Sequence, residues 1–278
     1  MTRNSSPDAI FVIGSARSGS TLLYNILCSD PDTNPALNET HLLAGLCNLY
    51  RFSLQRLEIE QGNYFSSEED TTAFFRGYVT QFLNRTRRLH EVAGPLVLKS
   101  IVLAPSAPVL AKLHPEAYFC LCVRDPRDIV ASMIEVGTRQ ELQGLPNQFP
   151  RDVLALSHAV LGSYQPCINE LQGSLRNRLA IVKYETLVRN VQSVLVSLCE
   201  ATGLNLSGYD PQNNWPRNSI DVEARKQAGA PFLTTHWGKG INSTSVGNYR
   251  TRLTPQETAI IENICRRLFD LFEYTIGS

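Results

Sequence analysis

The sequence predicts a three-layer α/β fold, a parallel sheet with flanking helices. Three observations carry the prediction. Four short apolar runs rich in β-branched and aromatic residues lack clean alternation, as strands covered on both faces do. Helical patterns stand between them, and strand–helix alternation implies parallel pairing through crossover helices. The first run passes through a glycine-bounded turn directly into a helical pattern.

In chain order the strands are AIFVI (9–13), PLVLK (95–99), AYFCLCV (117–123) and LAIVK (179–183). Helical patterns cover 20–28 after the first strand and 126–136 after the third. The run ETLVRNVQSVLVSLCEATGL reads as one helix after the fourth strand, closed by Gly203 as a C-cap. The last helix, LTPQETAIIENICRRLFDLFEY, opens with Thr254 as N-cap, Pro255 at N1 and Glu257 at N3, a capping box. Two segments interrupt the alternation. Residues 40–92 read as helical, with Ser66-Ser67-Glu68-Glu69 as a helix start, and 137–175 contain DVLALSHAVLGSYQPCINEL. Insertions after strand ends often wall a binding site. They are expected to form a helical cap on a single domain spanning 1–278, and to wall its binding site.

Composition narrows the function. Lys plus Arg equals Asp plus Glu at 26 each, so bulk charge steers the chain to neither nucleic acid nor anionic membrane. Any anion site must be built locally. Seven cysteines form no CxxC pair, and Cys120 and Cys122 lie inside an apolar run. That pattern predicts reduced thiols and a cytoplasmic protein. The opening MTRNSSPDA is polar, and IFVI is too short for a signal core or a membrane span, so a soluble, unprocessed chain is expected.

The turn after the first strand carries the strongest chemical signal. In FVIGSARSGSTLLYNIL, Gly14 and Gly19 stand at the G-x-x-x-x-G spacing of a phosphate-binding loop, and Thr21 fills the hydroxyl position. Ser15, Ala16, Arg17, Ser18, Gly19, Ser20 and Thr21 would present backbone amides and side-chain donors to one anion, helped by the following helix dipole. Ser20 stands where a nucleotide triphosphatase has lysine, which argues against holding the end of a triphosphate. Arg17 supplies the positive charge instead, its planar fork suiting a tetrahedral oxyanion. An ordinary strand–helix turn is the bland alternative.

ARSGSTLLYNIL resembles the 5′-phosphosulfate loop of the sulfotransferase superfamily, nearest the P-R-S-G-T-T-L form of its tyrosylprotein and bacterial branch, with Ala16 in place of proline. VRDPRDIVASM resembles that superfamily's 3′-phosphate signature, which implies that Arg124 and Ser132 grip a ribose 3′-phosphate. The alternative there is an Arg124–Asp128 ion pair with Asp125 capping the helix; a kinase would use Asp125 on its metal. IVKYETL resembles the family's fourth-strand ending and makes Tyr184 a cofactor contact. HWGKGINSTSVGNYRTRLT is similar to the loop that closes over the donor. It implies roles for Ser243, Ser245 and Arg250 and a weaker one for Lys239, although Tyr249 replaces the usual tryptophan.

The resemblance implies a donor, 3′-phosphoadenosine 5′-phosphosulfate (PAPS), and a product, 3′,5′-ADP (PAP), without a metal. Three catalytic residues follow from it: Glu39 of LNET as general base, Lys99 at the second strand's end on the bridging oxygen, and Arg17 on the transferring group. His41 is the second choice of base, and Glu39 could instead open the helix ETHLLAGLCNLY. The expected reaction is in-line sulfuryl transfer to a hydroxyl or amine of a small metabolite. No nucleic-acid or membrane partner is expected, and a homodimer is compatible with the reading. The rivals are a small-molecule kinase with a phosphate loop, and a non-catalytic nucleotide-binding module.

Overall fold

The computed structural model describes residues 7–212 and 240–277. Four parallel strands form its sheet in the order β2-β1-β3-β4: β1 (Ala9–Gly14), β2 (Leu96–Lys99), β3 (Ala117–Val123) and β4 (Leu179–Lys183). All four predicted strands are present, and the parallel ladders run Ala9↔Leu96, Ala9↔Ala117 and Phe119↔Leu179 at their amino ends. Every residue of β1 and β3 is buried, which explains their unbroken apolar runs. Edge strand β4 departs from that expectation, with Ile181 exposed.

Helices cover both faces. On one side α1 (Ser20–Leu27), α7 (Tyr184–Arg189) and α8 (Val191–Thr202) pack Leu23, Leu27, Leu187, Val194 and Leu198 against Ile10, Val12, Cys120 and Cys122. The opposite face, with Phe11, Ile13, Phe119 and Leu121, is covered by the two insertions and the C-terminal helices. The first insertion forms α2 (Leu42–Gln55) and α3 (Glu68–Leu89); α4 (Ala107–Leu113) follows β2 after a 3₁₀ turn, and β3 leads into α5 (Pro126–Leu142) and α6 (Val153–Asn169). Ser67 caps α3 by accepting the Asp70 N–H, as the Ser-Ser-Glu-Glu pattern predicts. The chain ends in α9 (Tyr249–Arg252), α10 (Pro255–Ile264) and α11 (Arg266–Phe272).

Several expectations need correction. The long run after β4 is two helices, because Asn190 leaves helical geometry and its side chain accepts the Ser193 N–H, starting α8 afresh. Gly203 closes α8 in the left-handed conformation, as expected. The terminal run keeps its capping box at Thr254 and Glu257 but breaks at Cys265, and both segments bury residues in one core: Ile261 before the break, Leu268, Phe269 and Phe272 after it. Helix α5 extends to Leu142, six residues past the predicted end at 136. None of the seven cysteines forms a disulfide, and six are buried. No helix among the described residues is long and apolar enough to cross a membrane.

Asn34 finishes the sheet. Strand β2 is an edge, and its Val97 points its backbone polar groups outward; the Asn34 side chain accepts the Val97 N–H at 2.6 Å and donates to its carbonyl at 2.8 Å. Asn34 is fully buried, so no water can replace it. Asn34→Ala strands a buried donor and acceptor, and we expect a loss of about 2–4 kcal/mol in urea unfolding.

Candidate active site

The site lies at the carboxyl edge of the sheet. The chain moves from β1 to β2 on one side and to β3 on the other, so the crevice between β1 and β3 is a topological switch point, where open α/β sheets bind ligands. The loop of residues 15–19 emerges there. Gly14 ends β1 with φ 151° opposite Cys122, and a Cβ would sit 2.6 Å from the Cys122 carbonyl oxygen. Gly19 has φ 98°, and a Cβ there would collide with the Tyr184 ring. Both glycines of the motif are therefore required by space as well as by backbone angle. Between them Arg17 adopts φ 66°, a left-handed conformation costly for arginine.

Helix α1 begins directly after the loop, and no side chain caps it. The first N–H groups of such a helix have no partner within it, which is what an anion cradle requires. Ser20 is buried and Ala16, Arg17, Gly19 and Thr21 are partly exposed along this turn. Ser18 is tucked beneath, its hydroxyl 2.9 Å from the position of a Cβ on Gly14. The Ser15 hydroxyl and Arg124 Nε are buried with no hydrogen-bond partner among the described residues.

Most of the predicted donor residues converge on this loop. Arg17 Nε donates to Ser132 Oγ at 3.2 Å, and Arg124 Nη1 donates to the Arg17 carbonyl at 3.1 Å. Arg124 also lies over the Tyr184 ring, 4.6 Å from its centroid, and its Nη2 donates to the Ser245 carbonyl at 2.6 Å. Tyr184 and Ser245 hydroxyls share a 2.8 Å bond. Burial, then the like charges of Arg139 and Arg124, pulls the Arg17 guanidinium down to about 10, still charged at neutral pH. Ser243 lies on the segment before α9 and Arg250 in α9 itself, and both are exposed; Arg250 stacks over Tyr249 at 4.8 Å. Lys239 lies outside the described residues.

The alternative for the VRDPRD segment is also present in part. Asp125 does cap α5 through the Arg127 N–H, and both its oxygens accept from the Arg127 guanidinium. Arg124 and Asp128 approach only to 3.9 Å, since Asp128 is engaged by the backbone of residues 247 and 249. Arg124 is thus turned to the loop, Tyr184 and Ser245 more than to its acidic neighbour.

A second cluster sits at the end of β2. Glu39 and Lys99 form an ion pair, and Glu39 Oε2 accepts the Ile101 N–H at 2.9 Å. The Lys99 side chain is 9% exposed and that of Glu39 30%, so the pair opens to solvent on the carboxylate side. Glu39 does not open a helix: α2 starts at Leu42, and the carboxylate reaches across to the β2 segment instead. His41 occupies the N-cap position of α2 and is exposed.

A sequence profile described as "Sulfotransferase family" matches residues 7–208. The chain belongs to the sulfotransferase family. No curated protein matches it. Among solved structures, the sulfotransferase domain from the curacin biosynthetic pathway superposes with TM-score 0.63 at 19% identity, covering 98% of this chain and 99% of that one. The sulfotransferase domain of the Synechococcus PCC 7002 olefin synthase gives 0.62 at 20% identity, over 100% and 99% of the two chains. A mouse sulfotransferase complexed with PAP gives 0.51 at 14% identity, over 96% and 89%. At these identities the likeness is one of fold.

Reading the sequence missed three residues of this sulfotransferase's site. Arg139 adds a third guanidinium beside Arg17; its signal was its position two helical turns beyond Ser132 on the same face of α5. Asp128 accepts the Gly247 and Tyr249 N–H groups. Tyr164, fully buried on α6, donates to the Cys122 carbonyl at 3.0 Å, opposite Gly14 at the start of the 15–19 loop. Gly19→Ala tests the loop geometry: the added methyl meets Tyr184 at a backbone angle unfavourable to alanine. We expect about 1–3 kcal/mol lost in thermal unfolding, with Gly19→Ala/Tyr184→Ala recovering part of it.

Proposed function

We propose that this sulfotransferase moves a sulfuryl group from PAPS to a hydroxyl or amine of a small-molecule acceptor and releases PAP, without a metal. The observation that carries the reading is the convergence of Arg17, Arg124, Ser132, Tyr184 and Ser245 on a glycine-bounded loop, with a carboxylate–ammonium pair at the neighbouring strand end. The buried, unpartnered Arg124 Nε and Ser15 hydroxyl fit an anionic donor, because such groups are costly unless something binds them. A neighbour of the same fold was solved with PAP, and two others come from biosynthetic systems, which supports a nucleotide donor and a metabolite acceptor.

PAPS would supply an activated S–O bond, and the protein's residues would do the rest. Loop amides of residues 15–21, with Arg17, hold the 5′-phosphosulfate end; Arg124 and Ser132 hold the 3′-phosphate, with Tyr184 and Ser245 beside them. Ser243, before α9, and Arg250, in α9, close the pocket in this reading. Glu39 takes the acceptor's proton as the new O–S or N–S bond forms. Lys99 neutralises the charge left on the bridging oxygen when the old S–O bond breaks. The Ile101 N–H fixes one carboxylate oxygen of Glu39 and leaves the other beside Lys99.

A kinase reading is less well supported. Ser20 replaces the loop lysine, and Asp125 spends both oxygens on Arg127 rather than offering them to a metal. Calorimetry should show PAP binding without Mg²⁺; tight binding of Mg·ATP with none of PAP overturns the proposal. Glu39→Gln keeps the hydrogen bond from Ile101 but removes the base. Its turnover with labelled PAPS should fall ~10²–10⁴-fold while PAP affinity stays within about twofold of the parent. Unchanged turnover would reassign the base, with His41 the next residue to replace.

A further inference from the structure

We propose that Asp128 is a positioning residue for the donor pocket, holding the 245–249 loop by two backbone hydrogen bonds so that Ser245 stays against Arg124 and Tyr184. The inference rests on the donor-pocket reading above. Asp128 lies in the first turn of α5 with its side chain 1% exposed. Its Oδ2 accepts the Gly247 N–H at 2.7 Å and its Oδ1 the Tyr249 N–H at 3.0 Å. One carboxylate therefore grips two alternate amides of the loop, on either side of Asn248. Gly247, at φ 78°, is bent into the left-handed conformation within that grip.

A buried carboxylate is expensive unless its oxygens are satisfied. Burial drives the Asp128 carboxyl upward, and Arg124 with the two amides opposes that shift. Arg124 stands 3.9 Å away, too far for a hydrogen bond, so the direct contacts of Asp128 are to the loop. Two residues upstream, Ser245 offers its carbonyl to Arg124 and its hydroxyl to Tyr184. The geometry is thus a relay from α5, through the loop, to the two residues proposed to face the nucleotide. Without it the loop keeps its Ser245 contacts but loses the anchor that fixes their position.

Asp128→Asn keeps the shape and replaces one acceptor by an N–H₂ group facing a backbone N–H. On the full chain, calorimetry should show the Kd for PAP raised roughly tenfold. Amide exchange at Gly247 and Tyr249 should quicken while exchange in the sheet is unchanged. Ser245→Ala supplies the second corner of a cycle. If Asp128 works through Ser245, the double variant binds PAP no more weakly than the weaker single one. Independent, multiplying losses overturn the relay, as does a Kd within twofold of the parent. Should Asp128→Asn fail to fold, Asp128→Glu carries the test: it keeps the charge but shifts the oxygens by one methylene, and parental PAP affinity in it overturns the proposal. If the parent chain itself binds no PAP, the donor reading fails, and the exchange measurement alone then decides whether Asp128 holds the loop.

Discussion

Three guanidiniums, those of Arg17, Arg124 and Arg139, are crowded into one half-buried cleft of a chain whose formal charge is zero. Like charges repel by about 4 kcal/mol at 4 Å and an effective dielectric near 20. The acids nearby offset part of this, Glu135 by pairing with Arg139 and by favouring the charged Arg17. Asp128 is turned to the loop backbone, and Glu135 is divided between Arg139 at 2.9 Å and Arg252 at 3.5 Å. Such a cleft is held together by its scaffold, and on the proposed reading an anionic donor would relax it. The left-handed Arg17 and the uncapped start of α1 belong to the same arrangement, in which backbone and side chains all present positive ends to one place.

The scaffold that enforces this crowding is stiff. Tyr184 packs its ring on Gly19 and beneath Arg124, so one aromatic fixes both the loop and the strand-end arginine. Below the neighbouring segment, Arg127 joins Asp125 to Glu262 and the Thr275 carbonyl, and Glu185 joins the Asp125 N–H to the Tyr274 hydroxyl. The C-terminal helices are thereby tied to the end of β3. Their role in the site is indirect: they hold the strand end from which Arg124 projects.

What was legible in the sequence follows from how local each cause is. Strand runs, the glycine spacing, the Ser67 cap and the Thr254 capping box are set by residues within a few positions of one another, and they appear where expected. Asn190 was a visible helix breaker inside an apolar pattern, and periodicity masked it. The break at Cys265 had no such marker. Asp128, Arg139 and Tyr164 escaped because their meaning lies in partners far along the chain, at Gly247, Arg17 and Cys122. Family likeness named Glu39 and Lys99 separately; only the fold shows them touching.

That contact bears on how an acceptor would enter. The pair is lopsided: the Lys99 side chain is 9% exposed and that of Glu39 30%, so a Lys99 ammonium parted from Glu39 needs another anion close by. The two ends differ in freedom. Glu39 remains tethered by the Ile101 N–H when Lys99 leaves, whereas Lys99 projects from the last residue of β2 on a flexible four-carbon stem. On the proposed reaction, a hydroxyl arriving from the exposed side would meet the carboxylate first. Its approach would displace the ammonium towards the loop that follows β1, the strand adjoining β2 through Val12↔Lys99. Acceptor binding and delivery of positive charge to the leaving oxygen would then be one motion, with the carboxylate as its fixed point.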